Sequence, residues 1–519
     1  MDISFFLRHV YDDVARFDSD RPALSLENDE PVTYRQLGER TNAYARQLLD
    51  LGVKPGDRLA ILMYNSVEYW IAYFAITRIG AIAVRLNFRL GIEELKYVLN
   101  DSGSTVLLAN SELLAPLDQL RSVVPVQHYL ALGPEAGRPD WAKPWEQLER
   151  GDTHSLDIPL PAAEVGAMIM YTSGTTGRPK GVLWSHGTTT WWAALQVMEW
   201  GFDENSVTMV TGPLYHIGGL ENYVLPTLAM GGHGVMQRST NFDLTRTLKI
   251  VEDQRITDLL LFPVMINQLV ERLDLDQFDL SSLTRVFTGG DALLPSVCER
   301  LNSALPGADL IQVYGLTEGT PIATCSAPGM GYERPASVGR AFPFVEVSLR
   351  DDQGDPVPPG TIGEIWTRSP ANSLGYWNKP DETAATFTDG WCHTGDLGVV
   401  TDGTLSIAGR KKDMIRSGGE NISPAEVEDV LLRHPAVVDV AVIGVPDTEY
   451  IEAVCAVVVT KEDVPVTAEE LIAHCRAHLA SFKKPRQVVF VSELPRTPSH
   501  KIQKFRIREM LAADTLTTS

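Results

Sequence analysis

Tyr171–Gly181 reads YTSGTTGRPKG: three glycines, four Ser or Thr hydroxyls and one lysine within eleven residues. The apolar run Val165–Met170 enters it without a turn former, which predicts a buried strand delivering the loop to the top of a sheet. Glycines let backbone N–H groups turn towards an anion, the hydroxyls of Thr172, Ser173, Thr175 and Thr176 add donors, and Lys180 adds a positive charge. The pattern departs from G-x-x-x-x-G-K-[ST], because Pro179 precedes the lysine and Gly181 follows it. Taken alone, the stretch reads equally as a phosphate cradle or as a surface loop of small polar residues.

On the N-terminal side of the loop, Thr33 and Gln36 form a capping box that opens a helix. Its Leu37, Tyr44, Leu48 and Leu51 share one face, and it stops at Gly52. Strands are predicted at Arg58–Met63, Ala81–Leu86 and Thr105–Ala109, with helices near Ser66–Arg78 and Ile92–Leu99 between them. After the loop a helix near Thr188–Met198 precedes strands near Val207–Thr211, Asp258–Phe262 and Arg285–Thr288. Such alternation implies crossover units and mostly parallel α/β sheets. From Val338 short strands separated by turns predict a β-rich subdomain, about 338–411, closing a large N-terminal domain, 1–411. The charged stretch Gly409–Pro424 marks the boundary to a small, mobile α+β C-terminal domain, 412–519. There Pro424–Arg433 and Ala468–Leu479 read as helices, and Val438–Gly444 and Ala453–Val459 as strands.

At 519 residues the chain exceeds one ordinary core, and a 44% hydrophobic, 22% charged composition is that of a globular protein. A net charge of −22 argues against binding nucleic acid, so any anionic ligand must be met by local basic groups. The five cysteines are scattered without C-x-x-C spacing, which indicates neither a disulfide framework nor a zinc site and fits a reducing cytoplasm. The N-terminus lacks a signal-peptide core, and the apolar window Trp70–Val84 is broken by Arg78, so no transmembrane segment is expected.

Five motifs decide between the readings of the loop. YTSGTTGRPKG, YGLTE at Tyr314–Glu318, WCHTGDLG at Trp391–Gly398, GRKKDMIRSGGENI at Gly409–Ile422 and LPRTPSHKIQK at Leu494–Lys504 together resemble the acyl-adenylate-forming (AMP-binding) superfamily. The resemblance spans nearly the whole chain, in the family's order and spacing, and points to an acyl-CoA synthetase. It implies an acid–thiol ligase that uses ATP, Mg²⁺ and coenzyme A, and a small-molecule carboxylic acid, fatty or aryl, as substrate. A homodimer is left open.

The resemblance also implies residue roles. Thr172, Ser173, Gly174, Thr175, Thr176, Gly177 and Lys180 would close over the β- and γ-phosphates, and Glu318 would hold Mg²⁺, a hard cation that prefers oxygen. Thr317 would lie near the α-phosphate, Tyr314 beside the adenine, and Gly290 and Asp291 would complete the nucleotide site. Asp396 and Arg410 would hold the ribose. Lys501 would supply the catalytic charge of adenylation, with Lys504 as competitor, although His500 stands where relatives usually carry glycine. Lys412 occupies the hinge position, Gly418 and Gly419 would border the pantetheine channel, and Tyr450 would pack on adenine. Phe482, Lys483, Lys484 and Arg486 form a basic patch suited to the phosphates of coenzyme A, to which Arg89 would add a contact.

His216, in PLYHIGG, matches a family histidine at the mouth of the acyl pocket. Gly218, Gly219, Asn222, Gly289, Gly290 and Gly319 suggest either room for an extended or aromatic acid or close packing; Trp191, Trp192 and Tyr223 read as lining or as core. Alternatives are an adenylation enzyme that passes its acyl group to a carrier protein and a catalytically silent nucleotide-binding relative. The pocket segment carries no Phe-Asp motif to bind an α-amine, and no carrier domain is expected after Lys504.

Overall fold

The computed structural model describes residues 19–513, apart from 136, 146–150, 173–177, 240–241, 291–292, 294, 418–419, 448–449, 462–463 and 497–501. The chain divides into two compact units, one of residues 1–347 with 367–393 and the other of 348–366 with 394–519.

The first unit carries two large sheets. In one, the parallel strands Ile82–Arg85, Arg58–Leu62, Val106–Asn110 and His128–Leu132 continue through Gly166–Thr172 to its antiparallel neighbour Lys180–Ser185. In the other, His233–Met236, Val207–Val210, Asp258–Leu260, Arg285–Gly289 and Asp309–Tyr314 lie parallel. The helix Val67–Arg78 packs against strands of both sheets, which is why every residue of it but Glu68 is buried. Burying each of its large apolar side chains contributes about 1.5–3 kcal/mol. Ser66 caps this helix by accepting from Tyr69 N at 3.2 Å. The capping box read at Thr33 forms as expected, with Gln36 N on Thr33 Oγ1 at 3.2 Å and Thr33 N on Gln36 Oε1 at 2.9 Å.

One element departs from the expectation. The sequence reading assigns nothing between the glycine loop and the helix near Thr188, whereas Lys180–Ser185 is a strand, and Ser185 caps a helix that starts at His186. The loop therefore joins two antiparallel strands, with Thr172 opposite Lys180, instead of leading from strand to helix. Gly181 permits this: a Cβ there would stand 2.7 Å from the Ile169 side chain and 3.1 Å from that of Tyr171. An apolar run as short as GVLWS has too few periods to separate a strand from a helix lead.

In the second unit, Val437–Asp447 and Ile451–Thr460 form a long antiparallel pair, with Gln487–Phe490 parallel to the latter. The helices Pro424–Leu432 and Ala468–His478 enclose a core of Ile422, Val427, Leu431, Val442, Val454 and Leu471. Residues 394–401 pair with Thr404–Arg410, and Ser423 Oγ donates to the Ala408 carbonyl, tying this hairpin to the helix start. No described helix is long and apolar enough to cross a membrane.

Candidate active site

In the first unit the strand end Thr172, the strand start Lys180 and the loop after Asp309–Tyr314 converge. Thr172 Oγ1 donates to Glu318 Oε1 at 3.0 Å, and the Tyr376 hydroxyl donates to the same oxygen at 3.2 Å. Lys180 Nζ lies 5.1 Å from the centre of the Tyr376 ring. Burial, and then the nearby Glu318 carboxylate, push the Tyr376 phenol well above its ordinary pKa, so it remains a proton donor. The Glu318 backbone is fixed as well: its carbonyl accepts from Ser373 N at 3.1 Å, and the Thr317 carbonyl accepts from Trp184 Nε1 at 2.9 Å.

The base of the glycine loop is clamped from below by Asp101, at the C-terminal end of the helix Ile92–Ser102. Its carboxylate accepts from the Tyr171 hydroxyl at 2.7 Å and pairs with Lys379 at 3.6 Å, and its carbonyl accepts from Trp377 Nε1 at 3.2 Å. Tyr97, on the same helix, donates to the Pro179 carbonyl at 3.2 Å. The sequence reading singles out neither Asp101 nor Tyr376. Tyr376 sits in GYWNKP, an aromatic pair beside turn formers, which is the only signal it offers.

His216 is half-buried, with Nδ1 accepting from Gly218 N at 3.1 Å. Arg89 donates to the hydroxyl of Tyr215, the neighbour of His216, at 3.2 Å. The glycines of this region divide. A Cβ on Gly219 would stand 2.1 Å from the Pro213 carbonyl oxygen, on Gly289 2.6 Å from Val313 and on Gly319 2.9 Å from Thr367, so close packing accounts for them and not open room. Gly290 is open, with φ +89° and no described neighbour within 4 Å, and a Cβ on Gly218 would meet only ordinary contact, 3.4 Å from His216 Nδ1. Trp192 is core, donating to Asn222 Oδ1 at 2.9 Å, and Tyr223 stacks on Trp200 and lies tilted against Phe287.

In the second unit Asp396 and Arg410 stand directly opposite each other across the hairpin, with Arg410 Nε 2.7 Å from Asp396 Oδ1. Asp396 N is held by Thr394 Oγ1 at 3.0 Å. Glu364 braces both sides, accepting from Gly395 N at 3.2 Å and from Lys411 Nζ at 3.0 Å. Hydrogen bonds to Asp352 and Glu364 hold the Lys411 ammonium above its ordinary pKa. Lys412, the expected hinge, is exposed.

The basic patch is partly committed within the unit. Arg486 lies over the Tyr450 ring at 3.7 Å, Lys483 pairs with Glu426 at 2.6 Å, and Lys484 Nζ donates to the Ser481 carbonyl at 3.0 Å. Phe482 is exposed. Lys504 pairs with Glu428 at 2.7 Å, and Glu428 in turn accepts from Val442 N, which gives this lysine a structural role. Ser173, Gly174, Thr175, Thr176, Gly177, Asp291, Gly418, Gly419 and Lys501 lie outside the described residues.

A magnesium ion fits the donor set around Glu318. Mg²⁺ is usually held by one or two carboxylates together with substrate phosphates and water, and here one carboxylate stands beside hydroxyl oxygens. Among the described residues no group of three or more His, Cys, Asp or Glu could hold a metal through protein ligands alone.

The AMP-binding enzyme family matches residues 11–377, and the AMP-binding enzyme C-terminal domain matches residues 426–501. A feruloyl-CoA synthase of Amycolatopsis sp. is 37% identical over 478 residues, covering 92% of this chain and 93% of that protein. A long-chain-fatty-acid–CoA ligase of Salmonella typhimurium is 33% identical, covering 97% and 94%. The crystal structure of the anthranilate CoA ligase AuaEII in complex with anthranoyl-AMP superposes with a TM-score of 0.90 at 30% identity, over 99% of this chain and 98% of that one.

Proposed function

The chain belongs to the AMP-binding enzymes and is an AMP-forming acid–thiol ligase of the acyl-CoA synthetase type, and on that premise we propose how its residues divide the work and which acids it takes. The enzyme activates a carboxylic acid with ATP and transfers the acyl group to coenzyme A. A carboxylate oxygen of the acid attacks the α-phosphorus, and the bond to the bridging oxygen breaks, so that pyrophosphate leaves with the electron pair. The thiol sulfur of coenzyme A then attacks the acyl carbon, AMP leaves, and the thiol proton passes to the leaving phosphate or to solvent. Such transfers need alignment and charge neutralisation more than a covalent nucleophile.

The observation that carries the assignment of roles is the Thr172–Glu318 hydrogen bond, which joins the base of the glycine loop to the carboxylate of YGLTE. Lys180 and the loop bind the β- and γ-phosphates. Glu318, with Thr172 and Tyr376 beside it, would hold Mg²⁺, which when bound supplies charge neutralisation at the phosphates. Tyr314 and Gly290, with Asp291, border the base, Asp396 and Arg410 take the ribose hydroxyls, and Lys501 brings its charge to the α-phosphate. His216 stands at the acyl side. For the thiol step the chain turns about Lys412, in the joint between the two family matches, which end at 377 and begin at 426. Gly418 and Gly419 then border the pantetheine, and Tyr450, Phe482, Lys484 and Arg486 meet the nucleotide of coenzyme A. Five reduced, buried cysteines support a cytoplasmic protein.

For the acid, we favour an aryl or arylalkyl carboxylate over a long alkyl chain. The feruloyl-CoA synthase, at 37% identity against 33%, is the more similar of the two relatives named above. Pyrophosphate release is measured across short, medium, long-chain, benzoic and arylacrylic acids, with and without coenzyme A. Release and thioester formation are expected to peak with the aryl acids. A peak with long alkyl acids would reverse the substrate assignment, and no release with any acid would sink the function.

A further inference from the structure

One buried ion pair takes no part in the roles above. Arg85 ends the strand Ile82–Arg85, and Glu221 lies in the segment 212–222, five residues after His216. Both side chains are 0% exposed, and Arg85 Nη2 stands 2.8 Å from Glu221 Oε2. Arg85 Nη1 also donates to the Leu214 carbonyl at 3.1 Å, so one guanidinium holds both ends of the turn that carries His216. Nη2 lies 3.4 Å from the sulfur of Met170, on the strand that runs into Thr172.

Neutral side chains hold the rest of the segment. Asn65 donates to the Gly212 carbonyl at 2.9 Å and accepts from Leu214 N at 2.8 Å. Gln196 donates to the Glu221 carbonyl at 2.9 Å and accepts from Tyr223 N at 2.8 Å, while Trp192 fixes Asn222. Tyr69 and Tyr73, one turn apart on the helix Val67–Arg78, face the ion pair without a well-aligned hydrogen bond to it.

Fold stability does not account for the pair. Replacing a buried ion pair with apolar side chains of similar volume is often neutral or stabilising, whereas removing one partner strands a buried charge. What the pair adds is position: from one residue at the end of Ile82–Arg85, Nη1 bonds the Leu214 carbonyl and Nη2 sets its charge against the Glu221 carboxylate. We infer that Arg85 and Glu221 are positioning residues that fix the 214–221 turn, and with it His216, for binding the acid substrate. The inference rests on the assignment of His216 to the acyl side, and its test has one arm that does not depend on activity.

The variants are Arg85→Met and the double variant Arg85→Met/Glu221→Leu. At about pH 8, above the range in which folded Glu221 holds its proton, the single variant is expected to melt well below the wild type and the double variant to recover, because no unpaired charge remains. In the recovered double variant the KM for the acid should still rise about tenfold or more, as misplaced contacts do, while the KM for ATP stays within about twofold. Amide hydrogen exchange within 212–222 should quicken while that of Ile82–Arg85 is unchanged. A well-folded double variant with wild-type KM for the acid, or one whose KM for ATP rises equally, overturns the inference, as does unchanged exchange in 212–222. Absence of any acid-dependent pyrophosphate release from the wild type would instead count against the function, leaving exchange to decide the positioning role.

Discussion

The two units hold their functional residues in different ways. In the first, Glu318, Thr172 and Tyr376 are half-buried and locked to one another and to strands, and below them Asp101 ties Tyr171, Trp377 and Lys379 together. In the second, Arg410, Lys412, Phe482 and Arg486 are exposed, and the cations mostly pair with groups of their own unit. Groups that meet polyphosphate in a fixed reaction geometry gain from preorganisation. Groups that serve in turn an adenylate and a thiol gain from being reachable, and exposed ion pairs cost little to exchange because each contributes at most about 1 kcal/mol.

The largest effects should separate the two chemical steps. Lys501→Ala is expected to slow adenylate formation about a hundred- to a thousand-fold, the usual loss on removing a preorganised charge. Thioester formation from supplied adenylate should stay near wild type. Glu318→Gln should fall in the same range, with the additional mark that raising the Mg²⁺ concentration recovers part of the rate. Rapid-quench assays of each half-reaction check both variants, and equal loss in both steps would refute the division.

Asp396→Asn should act more mildly. It leaves the hairpin intact but weakens the acceptor for the ribose and the ion pair to Arg410, so the KM for ATP should rise about ten- to thirtyfold, near 1.4–2 kcal/mol. A change confined to the KM for the acid would show that the hairpin serves a different ligand.

Tyr376→Phe removes one hydrogen bond to Glu318 while keeping the ring beneath Lys180. The loss of one such bond predicts a three- to tenfold drop in adenylation, roughly 0.5–1.5 kcal/mol, with no loss of melting temperature beyond a few degrees. An effect as large as that of Glu318→Gln would make Tyr376 a direct participant.

Much of this arrangement was legible in the chain. The alternation of periodic helices with short apolar strands located the parallel sheets, and the five motifs singled out Glu318, Asp396 and Arg410, the last two of which pair across the turn between them. What was not legible depends on contacts between distant segments. Lys180–Ser185 is too short for its period to show. Tyr376 lies 58 positions beyond Glu318 and reaches it because Gly375–Tyr376 pairs with Val182–Leu183. The role of Lys504 depends on Glu428, and whether the glycines near His216 mean room or close packing is decided only by their neighbours.

The buried pair of the first unit supplies the smallest effect and the one most specific to burial. Burial pushes the Glu221 carboxyl up to about 7, against the opposing pull of Arg85. Above its ordinary value of 4.5, an unfolded Glu221 is ionised while the folded form still holds its proton. The folded state therefore binds more protons across that window, and stability falls as pH rises from about 4.5 to about 7. The surrounding groups keep one charge state throughout: Arg85 is raised by Glu221 despite burial, and burial raises Tyr69 and Tyr73 out of the range. Glu221→Gln removes the titration and leaves the other groups in place. Its melting temperature relative to wild type should therefore climb by a few degrees between about pH 5 and about pH 8. Parallel melting curves for the two proteins would mean that the carboxyl ionises as readily in the core as in the open chain.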